Sequence, residues 1–319
     1  MPLTADLTEP TRVKGISFKR ILFATDFTDA SNRALNHAVA FAKRYDAELL
    51  IVHAVAPEPR EPVPLDPLPK ELDSEWMEAD QQMERLAKSA AFDGVVHKQI
   101  VRRGEVVDVI TDVIRKQKCD LLLTGTHGRR GLAKIALGSI AEQILHMTEC
   151  PVLTVGPCVP AIPKVNVEIS KILFATDFGP ASQKAFPYAL AFAKSFQAKL
   201  VLLHMIEPMP ASEVTPAAYG PPAYAAEEFS KWEEKRIRES QKRLQALAEN
   251  ADLPFAPVLQ VGTDLVPEGI LESAKSAESD LIVMGVNHTD SPRLASHFPW
   301  VLTSEVIRKA KCPVLTVCV

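Results

Sequence analysis

The sequence predicts an α/β protein built from two tandem, doubly wound parallel-sheet domains. Three observations carry that reading: a repeated heptapeptide, a repeated hexapeptide, and apolar runs that alternate with helix-spaced apolar residues. Ile-Leu-Phe-Ala-Thr-Asp-Phe stands at Ile21 to Phe27 and again, 151 residues on, at Ile172 to Phe178. Cys-Pro-Val-Leu-Thr-Val closes both copies, at Cys150 to Val155 and Cys312 to Val317. A chain of 319 residues has room for two domains of roughly 150 residues each. The expected division is a tail over 1–16, a first domain over 17–156, a linker over 157–168 and a second domain over 169–319. Pro157, Pro160 and Pro163 stiffen that short linker, so the domains are expected to pack on one another.

In the first copy Ile21 to Ala24 reads as a buried strand, followed by Ala34, Leu35, Ala38, Phe41 and Ala42 at helix spacing. Glu48 to Val52, extended by His53, is the second strand. Prolines from Pro57 to Pro69 exclude regular structure until Leu72, Trp76, Met83, Leu86 and Ala90 mark the next amphipathic helix. Val95 to Val101 is a third strand, ended by Gly104. Val106, Val109, Ile110, Val113 and Ile114 then form a helical face, and Asp120 to Thr124 is a fourth strand. Ser139 to Met147 supplies the last helix and Pro151 to Val155 the last strand. The second copy follows with strands at Leu200 to His204, Val258 to Val261 and Asp280 to Met284. Pro187 is expected to kink its first helix or shift its start. Continuously apolar strands alternating with helices imply a parallel sheet covered on both faces. Ligands of such sheets sit beyond the carboxyl ends of the strands where strand order reverses, which directs attention to the residues after strands one, two and four.

Hydrophobic residues make up 47% of the chain, charged residues 24%, and the formal net charge is -4. That balance leaves no broad basic field for nucleic acid or an anionic membrane. No apolar run reaches the roughly 18 residues of a membrane span, and Met1 to Gly15 is polar where a signal peptide would be apolar. A cytoplasmic location is expected, with no nucleic-acid and no membrane partner. The five cysteines include no C-x-x-C pair. Cys119, Cys150 and Cys312 border apolar runs, where a reduced thiol acts as a small hydrophobe.

After strand four the first copy reads Gly125-Thr126-His127-Gly128, then nine residues, then Gly138-Ser139 at a helix entrance. Glycines let main-chain N–H groups approach an oxyanion, and a helix start adds unpaired donors and the positive end of its dipole. Ser139 adds a hydroxyl. No Walker loop is present, so a nucleotide would be held mainly by main-chain amides. Two glycines three apart commonly mark only a turn; the strand before them and the third glycine at the helix entrance favour an anion site.

A strand ending in Asp, the Gly-x2-Gly-x9-Gly-Ser loop and a closing Pro-Val-Leu-x-Val strand together resemble the universal stress protein family (UspA-like), over nearly the whole chain. The resemblance implies, for each domain, a five-stranded Rossmann-like sheet of order 3-2-1-4-5, of the adenine nucleotide alpha hydrolase-like kind. It also implies ATP binding where the loop is complete, with magnesium or manganese accompanying the phosphates. By the same resemblance Gly125, Gly128, Gly138 and Ser139 match the phosphate-binding motif. Asp26 matches the acidic residue near the ribose, and the main chain around Ala54, after strand two, matches the segment that holds adenine. Ala24 and Thr25 lie beside that pocket.

Several of these residues have a second, structural reading. Asp26 and its twin Asp177 could serve only to satisfy amides in the turn before the first helix of each copy. His53 and His204 are expected to be hydrogen-bonded structural imidazoles. His127 could approach a phosphate or be an exposed loop residue, and Arg129 and Arg130 could cover a triphosphate or be solvated. The second copy reads Gly285-Val286-Asn287-His288, and Trp300-Val301 falls opposite Gly138-Ser139. Pro292 and Pro299 stiffen that segment. The second domain is therefore expected not to take ATP in the family's way, and to pair with the first domain or meet a partner. The insert from Pro208 to Tyr224 is expected to form a lid or contact surface. Three functions follow. The first is an ATP-binding stress-response regulator. The second is a scaffold whose closing strands meet within one chain or across a homodimer. The third, a slow ATP hydrolase, is disfavoured because Ala24 to Ser31 lacks the Ser-Gly-Gly-x-Asp-Ser loop of enzymes that cleave the α–β bond.

Overall fold

In the computed structural model the described residues are 16–56, 69–126, 139–161, 167–208, 223–249, 251–287 and 299–319. In the first module β1 (Arg20–Ala24), β2 (Glu48–Val55), β3 (His97–Arg103), β4 (Leu121–Gly125) and β5 (Val152–Val155) are parallel. They alternate with helices α1 (Asp29–Tyr45), α2 (Pro69–Ala87), α3 (Val106–Gln117) and α4 (Ser139–Met147). The second module repeats the plan with β6 (Lys171–Ala175), β7 (Lys199–Met205), β8 (Val258–Gly262), β9 (Leu281–Val286) and β10 (Val314–Cys318). Its helices are α5 (Pro180–Phe196), α6 (Ala223–Glu249), α7 (Val266–Ser276) and α8 (Pro299–Lys309). The ten strands of the described residues form one sheet, ordered β3-β2-β1-β4-β5-β10-β9-β6-β7-β8, so each module has the order 3-2-1-4-5.

The central strands are apolar throughout because both of their faces are covered. Ile21, Leu22 and Phe23 of β1 are fully buried, as are Ile172 and Leu173 of β6. Ile21, Phe23 and Leu123 face one core and Leu22, Leu50 and Leu122 the other, and each core runs through both modules. Three details depart from the sequence reading. β2 continues to Val55, because β3 itself extends to Arg103 and pairs with it residue by residue. Ala90 leaves α2 and starts a single 3-10 turn capped by Ser89. α5 runs through Pro187 without a shifted start, its Pro180 standing 151 residues after Asp29 of α1, where proline needs no N–H partner. Burial of Ala189, Leu190, Phe192 and Ala193 offsets the one lost hydrogen bond.

The modules meet where β5 and β10 pair antiparallel, with Leu153 opposite Leu315, Thr154 opposite Val314 and Val152 opposite Thr316. Leu153 and Leu315 are the same position of the two copies, so a pseudo-twofold axis passes between them. Around that axis α1 lies against α5. Arg44 Nε donates to Ser195 Oγ at 3.2 Å across a separation of 151 residues, another pair of equivalent positions. Phe41 meets Phe192 edge to face at 5.3 Å, and Phe196 lies 5.3 Å from Phe41 and 6.3 Å from Tyr45. On the other face the contacts are also reciprocal but use different residues. Gly156 lies so close to the Ile307 carbonyl that a Cβ would sit 2.2 Å from its oxygen, while the equivalent Cys318 thiol donates to the Leu145 carbonyl at 3.2 Å. Burial pushes the thiols of Cys119, Cys150 and Cys312 up to about 12 and that of Cys318 to about 11, which keeps them protonated and inert.

His37 of α1 stands where α5 has Tyr188, 4% exposed, and its Nδ1 has no hydrogen-bond partner among the described residues. Burial lowers its pKa from 6.5 to about 4. The folded protein therefore binds fewer protons than the unfolded chain between those values, so stability is present above pH 6.5 and is lost as pH falls through about 4. Replacing His37 by tyrosine is expected to remove up to about 3 kcal/mol of acid destabilisation, read as the difference in urea unfolding between pH 7 and pH 4. Phe41→Ala and Phe192→Ala should each cost about 3–5 kcal/mol. The double variant should fall short of their sum by about 0.5–1.5 kcal/mol, because the rings touch.

Candidate functional site

The strand order reverses between β1 and β4 in the first module, and the sequence-predicted residues of β1, β2 and β4 gather at the carboxyl ends of these strands. Ala24 ends β1, in register with Val52 of β2 and Thr124 of β4. Thr25 prolongs the ladder by donating its N–H to the Val52 carbonyl at 3.0 Å. The chain then turns sharply, with Phe27 held at φ 63°, a left-handed conformation unusual for a large side chain. His53 compensates for that strain. Its Nδ1 lies 2.8 Å from the Thr25 carbonyl, which can only accept, so the proton sits on Nδ1. Its ring packs on Phe27 at 4.5 Å. His53 is thus the structural imidazole that the sequence suggested.

Asp26 takes part in the same turn. Its Oδ1 accepts from the Thr28 N–H at 3.0 Å and from the Thr28 hydroxyl at 2.6 Å. Thr28 in turn caps α1 by accepting from the Ser31 N–H at 3.4 Å. A carboxylate oriented by two donors is fixed in place beyond the carboxyl end of β1, half-exposed. The second module copies the device: Thr176 donates to Leu203, His204 Nδ1 meets the Thr176 carbonyl at 2.7 Å, and Phe178 is at φ 62° and 4.5 Å from His204. There Asp177 Oδ1 accepts from the Gly179 N–H at 2.8 Å and from the Ser182 hydroxyl at 2.6 Å.

Ala54 is itself a residue of β2, paired with Arg102, rather than part of a segment beyond the strand. Gly125 is the last residue of β4, beside Val155, and Thr126 after it is 2% exposed. The geometry gives Gly125 a role that spacing did not reveal. A Cβ there would lie 2.7 Å from the Ala30 carbonyl oxygen, so the missing side chain lets the first turn of α1 sit directly on β4. Gly285 keeps the same approach in the second module, where a Cβ would lie 2.2 Å from the Ala181 carbonyl carbon. Ser139 opens α4. His127, Gly128, Arg129 and Gly138 lie outside the described residues, as do Arg130, His288, Pro292 and most of the insert from Pro208 to Tyr224. Trp300 falls in the first turn of α8.

The two modules differ in the residues that stand at these strand ends. In the first, Ala24, Ala54, Thr124 and Thr126 are small or hydroxyl-bearing, and Ala24 and Ala54 belong to the core under α3 and α4. In the second, the equivalent positions are Ala175, Met205, Met284 and Val286, all part of or packed on that same core. The sequence reading missed this exchange, although aligning the two copies places Met205 opposite Ala54. Beside it, His204 is held below the ordinary histidine range chiefly by burial, opposed by its bond to Thr176 and assisted by Arg243 and Arg236. Arg243 itself lies over the Phe178 ring at 4.0 Å.

Two halves of one sheet, each of order 3-2-1-4-5 with a Thr-Asp-Phe turn at its switch point, define a tandem Rossmann-like α/β protein. The model of the universal stress protein family matches residues 17–156 and again 168–317, and the chain belongs to that family. A universal stress protein of Methanocaldococcus jannaschii is 35% identical over 141 residues, which cover 43% of this chain and 82% of that protein. One from Thermus aquaticus is 32% identical over 143 residues, covering 43% and 98%. The crystal structure of a universal stress protein from Archaeoglobus fulgidus covers 94% of this chain and 98% of its own at a TM-score of 0.63 and 18% identity, a likeness of fold.

Because Gly125 and Gly285 face a helix backbone, each Gly→Ala change is expected to cost about 1–3 kcal/mol of stability with no nucleotide in solution, measured by urea unfolding. A purely ligand-binding role for Gly125 would leave that curve unmoved.

Proposed function

We propose that the first module binds ATP at the β1–β4 switch point and that the chain is a nucleotide-dependent regulator of the stress response. The observation that carries this reading is that β1, β2 and β4 carry Ala24, Ala54 and Thr124 at their carboxyl ends at the switch point with Thr126 following, small or hydroxyl-bearing residues, and that the Gly-x2-Gly-x9-Gly-Ser segment begins there in the sequence. In this arrangement main-chain amides from Gly125 to Gly128 and at the Gly138-Ser139 helix entrance hold the phosphates. Asp26, already oriented by Thr28, accepts from the ribose hydroxyls. His127 and Arg129 line the phosphate end. Magnesium or manganese would enter with the phosphates. The second module serves to pair with the first and to present surface to other partners.

The pairing of β5 with β10 favours a second reading, a scaffold that needs no nucleotide. Calorimetric titration with ATP and magnesium separates the two: about one site per chain is expected from the single complete loop. Two sites would contradict the role given to the second module, and none would leave the scaffold. Gly128→Val and Gly138→Val should each abolish that site without loss of helical signal, because a branched side chain would stand where the phosphate approaches.

A further inference from the structure

We propose that Met205 keeps the second module closed to nucleosides, and that the base-and-ribose half of a cleft survives beneath its thioether. The inference rests on the reading above for the identity of the ligand, but it concerns a different module and a different residue.

The turn after β6 is preserved in detail. Thr176, Asp177, Phe178 and His204 repeat the left-handed φ, the histidine–carbonyl bond and the ring contact of the first module to within 0.1 Å and 1°. Ala175 keeps the alanine of Ala24. What has changed is the wall. Where the first module has Ala54 on β2, Arg102 on β3 and Val109 on α3, the second has Met205 on β7, Gly262 on β8 and Gly269 on α7.

These exchanges are coupled. A Cβ on Gly269 would lie 1.9 Å from the Met205 Cε and 2.8 Å from its Sδ, and one on Gly262 would lie 2.7 Å from both atoms. The methionine therefore reaches from the end of β7 to α7 and occupies the space that a side chain at either glycine would need. A long, unbranched thioether is suited to filling such an irregular gap. Removing it would free the space between the end of β7, Gly262 and Gly269, with Ala175, Met284 and Val286 still lining the neighbouring strand ends. The phosphate end is not restored, since Val286-Asn287-His288 still follows Gly285. The ligand class is thus an uncharged nucleoside and not a nucleotide, its adenine base taken from the function proposed for the first module.

The test is calorimetric titration of the full chain with adenosine. The wild-type protein is expected to bind about one per chain and Met205→Ala about two, the added site coming from the second module. Met205→Leu, which keeps the volume, should stay at the wild-type number. The double variant M205A/G269V reproduces the Ala54–Val109 pair, refills the core and should also gain one site. It reads the proposal even if Met205→Ala alone unfolds. An unchanged number in both variants overturns the proposal, as does a wild-type second module that already takes adenosine. A wild-type chain that binds no ATP while Met205→Ala gains an adenosine would sink the function proposed for the first module and leave this inference standing.

Discussion

The antiparallel contact of β5 with β10 is the constraint on which the rest of the molecule depends. Each module alone would end in an unpaired strand edge, and the closing strands are among the most apolar of the chain. Pairing them satisfies both ladders and makes two five-stranded sheets into one. It also brings α1 against α5, since both helices cover the same sheet face near the axis. Phe18, Phe41, Tyr45, Phe192 and Phe196 are the result, a cluster of rings from two modules in a single core. The reciprocal contact on the far face shows how tight the fit is, because Gly156 has no room for a side chain where Cys318 places a thiol.

With the strands fixed, the switch-point turn follows from local chemistry. A left-handed phenylalanine costs energy, and both modules offset it with the same histidine bonded to the threonine carbonyl two residues upstream. The aspartate between them organises the helix start. Duplication has kept this scaffold while the surfaces around it have diverged: hydroxyls and alanine on one floor, methionines and valine on the other. The side chains around the turn can therefore change without disturbing it.

Much of this was legible before any coordinates. The repeated heptapeptide and hexapeptide located β1, β6, β5 and β10, and the unbroken apolar runs gave a parallel sheet with both faces covered. Strand ends were less legible: β2 reaches Val55 only because β3 runs alongside as far as Arg103, a partnership invisible in either segment alone. Pro187 does not shift the start of its helix, because its cost is local while the burial of α5 is tertiary. Spacing marks Gly125 as a point of close approach for an oxyanion, whereas the approach seen in the fold is that of the Ala30 carbonyl, which spacing cannot reveal. The exchange of Ala54 and Val109 for Met205 and Gly269 was written in the two copies, yet it means something only once the strand and helix are seen to face each other.

Among the described residues, joining the modules through their closing strands leaves β3 and β8 as the two margins of the sheet. They are not alike. β3 reads His-Lys-Gln-Ile-Val-Arg-Arg, so a second copy approaching it edge to edge would set positive charge against positive charge. β8 reads Val-Leu-Gln-Val-Gly, carries no ionised side chain and leaves Val258 49% exposed. Growth by strand addition thus meets an electrostatic bar at one margin only, which gives an internally symmetric molecule a direction.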